Sequence, residues 1–276
     1  MNLNSNSVIV DPQILRSIVS SIIEKLCLRR KVFVGIAGPQ GSGKSTIANF
    51  IANELVSSKI QAAVISLDDF YLPYADRKEL SKLVHPLLLT RGVPGTHNVD
   101  LLQNTLHRLS DANVPAVCWP MFSKKLDDTD PDKVHSFQRN PTTDKMVIIL
   151  EGWCVGCMPL KDIDEPVNDL ERTEDSDGSW RKYVDEQIRA KYSRVWDHLD
   201  MLIYMRIPNW SYVKKWRSEQ AATTNEDLTV LKIDRFIQFF ERISKQMMKP
   251  SCRRPTDLEI ELDTDHRIKA LNYNSR

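Results

Sequence analysis

A mostly parallel α/β sheet with helices on both faces is predicted by three observations. Lys31 to Ala37 (KVFVGIA) is a short apolar run that leads into a glycine-rich turn and then a helical pattern. Ala62 to Leu67 (AAVISL) is a second apolar run, ending at Asp68 and Asp69. Met146 to Leu150 (MVIIL) is apolar throughout, as in a strand covered on both faces. Strands that alternate with helical patterns imply crossover connections and parallel pairing.

Each element follows from its local pattern. Ile14, Ile18, Ile22, Ile23 and Leu26 share one face of a 3.6-residue period, which predicts an amphipathic helix over about 11–28, within an N-terminal segment 1–30. Ser45 to Val56 reads as the helix after the glycine turn. Asn98 is a suitable cap for a helix through Leu109, and Pro115 to Trp119 reads as a weaker strand. The acidic stretch Asp162 to Gly178, with Pro166 inside it, reads as a surface insertion before a helix from Ser179 to about His198. A strand is predicted at Met201 to Ile207 and a basic helix at Trp210 to Gln220. Leu231, Phe236, Phe239, Phe240 and Ile243 give a helical pattern over 227–249. Leu258 to Leu262 is a final strand that can pair with His266 to Leu271. No repeat interrupts this order, so the 276 residues read as one domain, with an insertion at about 71–98 and a lid segment at about 209–225.

The charge balance excludes some classes of partner. Thirty-eight basic against 37 acidic side chains give no global field for nucleic acid or an anionic membrane. Met1 to Pro12 lacks the basic and then apolar run of a secretory signal, and no apolar stretch approaches the roughly 18 residues of a membrane span. The cytoplasm is the expected compartment, and the oligomeric state stays open. The five cysteines are scattered, so free thiols are expected; Cys154 and Cys157 have zinc or redox spacing but no second ligand pair.

Gly38-Pro39-Gln40-Gly41-Ser42-Gly43-Lys44-Ser45 fits the Walker A pattern of the P-loop NTPase fold. Its glycines let successive backbone NH groups turn inward around phosphates, and the next helix points its positive end at them. Lys44 then reaches the β- and γ-phosphates, Ser45 offers a hydroxyl to Mg²⁺, and Thr46 adds a donor near the α-phosphate. The loop implies nucleotide binding and leaves the reaction open.

Carboxylates narrow that choice. Asp68 and Asp69 stand at the carboxyl end of the second strand, where α/β sheets place ligands. Transfer of a phosphoryl group to an alcohol needs a proton acceptor and a metal, tasks that adjacent carboxylates can divide, and Asp68 is the candidate base. Glu151, after MVIIL, takes the position of a Walker B carboxylate and is a second candidate at the metal. No Asn-Lys-x-Asp element follows it to read guanine, and no Leu-Ser-Gly-Gly-Gln element marks a transport ATPase. Arg91 lies among glycines and prolines that imply a shaped loop, and with Lys124 it is a candidate cation for an acceptor's carboxylate or phosphate. His97 is positioned either to bond an acceptor hydroxyl or to hold its own turn. Lys214, Lys215 and Arg217 fall on one short helix that could close over a triphosphate, with Arg217 the candidate for catalysis.

With these residues in place the chain resembles the P-loop family that joins uridine kinase, phosphoribulokinase and pantothenate kinase, and within it the D-glycerate 3-kinase-like proteins. Ser66-Leu67-Asp68-Asp69-Phe70-Tyr71 is similar to the family's second-strand signature, a resemblance that implies Asp68 as catalytic base and metal-site residue, and Arg91-Gly92-Val93-Pro94-Gly95-Thr96-His97 is similar to a segment of the glycerate kinase branch. Glu151-Gly152-Trp153, Val167 to Glu171 and Asp177 to Arg181 also resemble that branch, and Trp216-Arg217 sits where the family places its lid. Two positions depart from the pattern: Asn98 stands where the family shows Asp, and Ser123-Lys124 follows Phe122 in place of Asp-Lys. The resemblance implies an ATP- and Mg²⁺-dependent kinase acting on a small soluble acceptor, D-glycerate first, with Asp69, Tyr71, Arg91, His97 and Lys124 on the acceptor side. A nucleoside or pantothenate kinase, or a nucleotide-binding regulator without acceptor chemistry, is the alternative.

Overall fold

The computed structural model describes residues 12–223 and 230–274. Its N-terminal half runs α1 (Pro12–Leu28), β1 (Lys31–Ala37), α2 (Lys44–Ser57), β2 (Gln61–Ser66), α3 (Tyr74–Leu83), α4 (Val99–Ser110), β3 (Ala116–Ser123) and β4 (Asp128–Gln138). There follow β5 (Met146–Gly152), α5 (Asp169–Glu174), α6 (Ser179–Gln187), α7 (Ser193–Asp197), β6 (Met201–Arg206), α8 (Ser211–Thr223), α9 (Val230–Met247), β7 (Leu258–Leu262) and β8 (Ile268–Tyr273). The ends of the predicted N-terminal and lid segments, and the start of the helix expected from 227, lie outside the described residues.

Six strands form the main sheet in the order β2-β5-β1-β6-β7-β8. Neighbours are parallel except the closing β7–β8 pair, which is antiparallel. The apolar run of β5 explains its position inside the sheet: Val147 and Ile149 enter the core beneath α1 and α2, whereas Ile148 and Leu150 enter the core shared with α4 and α9. Alternate side chains of a strand face opposite ways, so only a run apolar at every position can be covered on both faces. Among the described residues no helix is long and apolar enough to cross a membrane.

The register of β5 aligns three strand ends. Ile36 of β1 and Ser66 of β2 both stand opposite Glu151. The turn after β1, Asp68 after β2 and Glu151 itself therefore emerge at one level of one edge, the usual ligand crevice of an open α/β sheet.

Two expectations are corrected. The predicted strand at Pro115 to Trp119 is longer and belongs to a separate two-stranded hairpin with β4. β4 is exposed along much of its length and polar, carrying Pro131, so it offers no apolar period to read. The helix expected from Ser179 to about His198 is present and runs through a π-helical turn over Ile188–Tyr192. The acidic stretch before it is also no mere surface insertion: Glu171 of α5 pairs with Arg242 of α9, and Asp175 pairs with Arg181, all four buried. Those partners are 71 and 6 residues away, too scattered for local composition to reveal. All five cysteines carry free thiols. Burial and the Cys157 neighbour raise the Cys154 thiol well above its ordinary range.

Candidate active site

The turn between β1 and α2 is shaped for an anion. Gly43 caps α2 at φ +83°, and no side chain caps the helix start or places an acid in its first turn. Unpaired NH groups at a helix N-terminus attract negative charge. Gly41, at φ +77°, packs so closely under α8 that a Cβ there would lie 2.8 Å from the Trp216 Cβ. The Ser42 hydroxyl and the Gln40 amide oxygen are buried in the turn without partners. Lys44 donates from Nζ to the Pro39 carbonyl at 2.9 Å; burial lowers its pKa against the pull of Glu151 and Asp68.

A cavity of about 210 Å³ opens beside this turn. Gln40, Gly41, Lys44 and Ser45 line one part of it, with Asp68 and Glu151 at the strand ends. Ser45 Oγ donates to Glu151 Oε1 at 2.8 Å. Tyr71, Arg91, Phe122 and Lys124 also line it, as does Arg217 of α8. Arg217 is buried and lies over the Phe236 ring. Lys214 and Lys215, grouped with it on the predicted lid, instead face outward in ion pairs with Asp234 and Glu219. Thr46 is exposed on α2, and Gly38 and Pro39 are buried beneath the turn.

Asp68 sits in a short 3-10 turn, Leu67–Phe70, that directly follows β2. Tyr71 donates its hydroxyl to Asp68 Oδ1 at 2.8 Å, and Lys124 Nζ lies 3.0 Å from Oδ2. Burial works against ionisation of Asp68, but the Lys124 ammonium and these hydrogen bonds outweigh it and hold the carboxyl well below the usual range. The same ion pair raises Lys124. Asp69 turns toward the hairpin, accepts from the Phe122 amide at 3.3 Å and lies 3.1 Å from His135 Nε2; burial raises its pKa against the His135 charge.

His97 is a correction to the expected acceptor set. It does not line the cavity but stacks behind Tyr71, ring centroids 4.5 Å apart, with Nδ1 2.7 Å from the Tyr192 hydroxyl. The Gly95 amide donates to that same oxygen at 3.0 Å. The π-turn is what brings Tyr192 here, and burial pushes the His97 pKa down to about 3, keeping the ring neutral. Sequence reasoning also missed Trp153, Phe236 and Phe240, which line the cavity, and Asp127, which pairs with Arg91 from outside it. The helical pattern that includes Phe236 and Phe240 was legible, but not that their face closes a site.

No family model matches the chain. It is 34% identical over 197 residues to the uncharacterized kinase mug58 of Schizosaccharomyces pombe, covering 69% of this chain and 70% of that protein. The chain belongs to the D-glycerate 3-kinase-like family of P-loop kinases. Within this family it is 28% identical over 200 residues to the chloroplastic D-glycerate 3-kinase of Arabidopsis thaliana, covering 70% of this chain but 42% of the longer relative. The fold matches a solved D-glycerate 3-kinase from Cryptococcus neoformans with a TM-score of 0.78 and 22% identity, over 96% of this chain and all of that one.

Proposed function

We propose that this kinase transfers the γ-phosphate of ATP to a hydroxyl of a small carboxylic acid, D-glycerate being the first candidate. The observation that carries the proposal is that Asp68 lines one cavity together with Lys44 and Ser45 of the anion turn and with the cations Arg91 and Lys124. Names of relatives support the acceptor: two D-glycerate 3-kinases stand among them.

In this reading the acceptor hydroxyl lies against Asp68 and points its oxygen at the γ-phosphorus. The new O–P bond forms as the bond to the ADP oxygen breaks, and the hydroxyl proton passes to the Asp68 carboxylate. A strongly ionised carboxylate is a weak base. In a loose phosphoryl-transfer transition state, however, holding the nucleophile in line matters more than basicity. Lys44 and Arg217 stabilise charge gathering on the transferred group and the leaving oxygen. A hydroxyl beside a carboxylate, with Asp68 nearby, is the hard oxygen donor set that suits Mg²⁺. Ser45, Glu151 and Asp68 would hold that ion, which when bound neutralises phosphate charge. Arg91 and Lys124 take the acceptor's carboxylate.

Acceptor-stimulated ADP release from the purified chain tests this, run over small hydroxy acids, sugars, nucleosides and pantothenate. The expected result is strong stimulation by a hydroxy acid. Stimulation by a nucleoside or pantothenate alone would reassign the acceptor, and nucleotide binding without stimulation by any alcohol would favour a regulatory binder.

A further inference from the structure

We infer that Asp127 is a positioning residue for the acceptor, fixing the Arg91 guanidinium so that the site selects a small alcohol bearing a carboxylate over its neutral counterpart. This rests on the reading of Arg91 as the acceptor's cation.

Asp127 occupies the turn between β3 and β4 in a left-handed conformation, φ +54°. It does not line the cavity, yet its Oδ1 accepts from Arg91 Nη1, and Arg91 does line it. The Arg91 guanidinium also lies 5.6 Å from the centre of the Phe122 ring. One NH group and one face of the fork are thus committed, which fixes the plane in which its remaining NH groups can meet a carboxylate.

Asp127 is itself held from beneath. Arg77 is completely buried, and its Nη2 reaches both the Asp127 carbonyl at 2.5 Å and Oδ2 at 3.0 Å. The same guanidinium donates to the Leu72 carbonyl at 3.1 Å and the Leu89 carbonyl at 2.5 Å. Leu72 adjoins Tyr71, Leu89 lies two residues before Arg91, and the hairpin turn also carries Lys124. A single buried cation therefore ties together the backbone beside each of the three polar groups on the acceptor side, and Asp127 is its link to Arg91. A surface aspartate serving only the turn would need neither cation. The geometry accounts for both.

The test compares Asp127→Asn and Arg91→Lys with the wild-type full chain. Asn tolerates the left-handed backbone and keeps the side-chain shape, so the substitution removes charge without breaking the turn. Kinetics are measured with D-glycerate, glycerol and ATP, together with the melting temperature. For Asp127→Asn we expect the KM for D-glycerate to rise about tenfold and the preference for D-glycerate over glycerol to fall by a similar factor, with the KM for ATP unchanged; the melting temperature falls, because the buried Arg77 loses a charged partner, but that fall does not carry over to the ATP side. Wild-type acceptor kinetics in Asp127→Asn, with Arg91→Lys impaired, would overturn the inference and leave the proposed function standing. A comparable rise in the KM for ATP and the KM for glycerol alongside that for D-glycerate, with the preference for D-glycerate over glycerol kept, would also overturn it, as a purely structural role. If Arg91→Lys itself matches wild type, the assignment of Arg91 fails and this inference with it.

Discussion

The two halves of the cavity are built by different means. The anion turn is one contiguous stretch, Gly38 to Ser45, held by strand register and by the backbone itself. The acceptor side is drawn from the Asp68 turn, the Arg91 loop, the β3–β4 hairpin and α9, segments joined mainly by ion pairs and ring contacts: Arg77–Asp127, Arg91–Asp127, Lys124–Asp68 and Tyr71 on His97. A backbone cradle depends on few side chains and tolerates change around it. A side-chain assembly can be retuned one residue at a time, and is correspondingly easy to break.

Substitutions can separate the halves. The largest effect is expected at their junction: Asp68→Asn should lower kcat at least about a thousandfold, near 4 kcal/mol of transition-state stabilisation, while ATP affinity by calorimetry stays close to wild type. Next comes the scaffold of the acceptor side. Glu171 is fully buried; it accepts from Arg242 Nε at 2.8 Å and from the Val167 amide at 2.9 Å, and so pins α9, which carries Phe236 and Phe240. Glu171→Gln strands a buried guanidinium and should cost about 3 kcal/mol of stability in denaturant unfolding. On the nucleotide side, Gly41→Ala combines a left-handed backbone with a 2.8 Å contact to Trp216. It should cost about 1–3 kcal/mol and weaken ATP binding more than acceptor binding, a split that calorimetry reads directly.

The smallest effect concerns pH. His97 has a folded pKa near 3 against an ordinary value of 6.5. Between those values the unfolded chain binds more protons than the folded one, so this stabilisation is complete above pH 6.5 and is lost as pH falls toward 3. His97→Asn should flatten that part of the stability profile, measured by thermal unfolding from pH 7 to pH 4. No limb of the activity profile near neutrality should belong to His97.

Legibility in the sequence follows the same division. The boundaries of β1, Lys31–Ala37, and the carboxylates at the ends of β2 and β5 could be read because burial on both faces and glycine chemistry leave local marks. β4 could not, since a polar, exposed strand such as DTDPDKVHSFQ has no apolar alternation to show. Lys124 was visible as a cation, but its partner Asp68 stands on another segment. The role of Tyr192 depends on a π-turn that no residue type announces. Asp127 sits in a pattern that resembles an ordinary charged turn, and only the buried Arg77 beneath it gives it significance.

The central claim is that one cavity joins an alcohol to a triphosphate, and phosphorus NMR of a mixture of ATP, Mg²⁺, D-glycerate and the purified chain examines it most directly. The account predicts a phosphomonoester resonance growing in step with ADP, one for one. ADP accompanied by inorganic phosphate alone, or no change in the ATP signals under any acceptor, would contradict it.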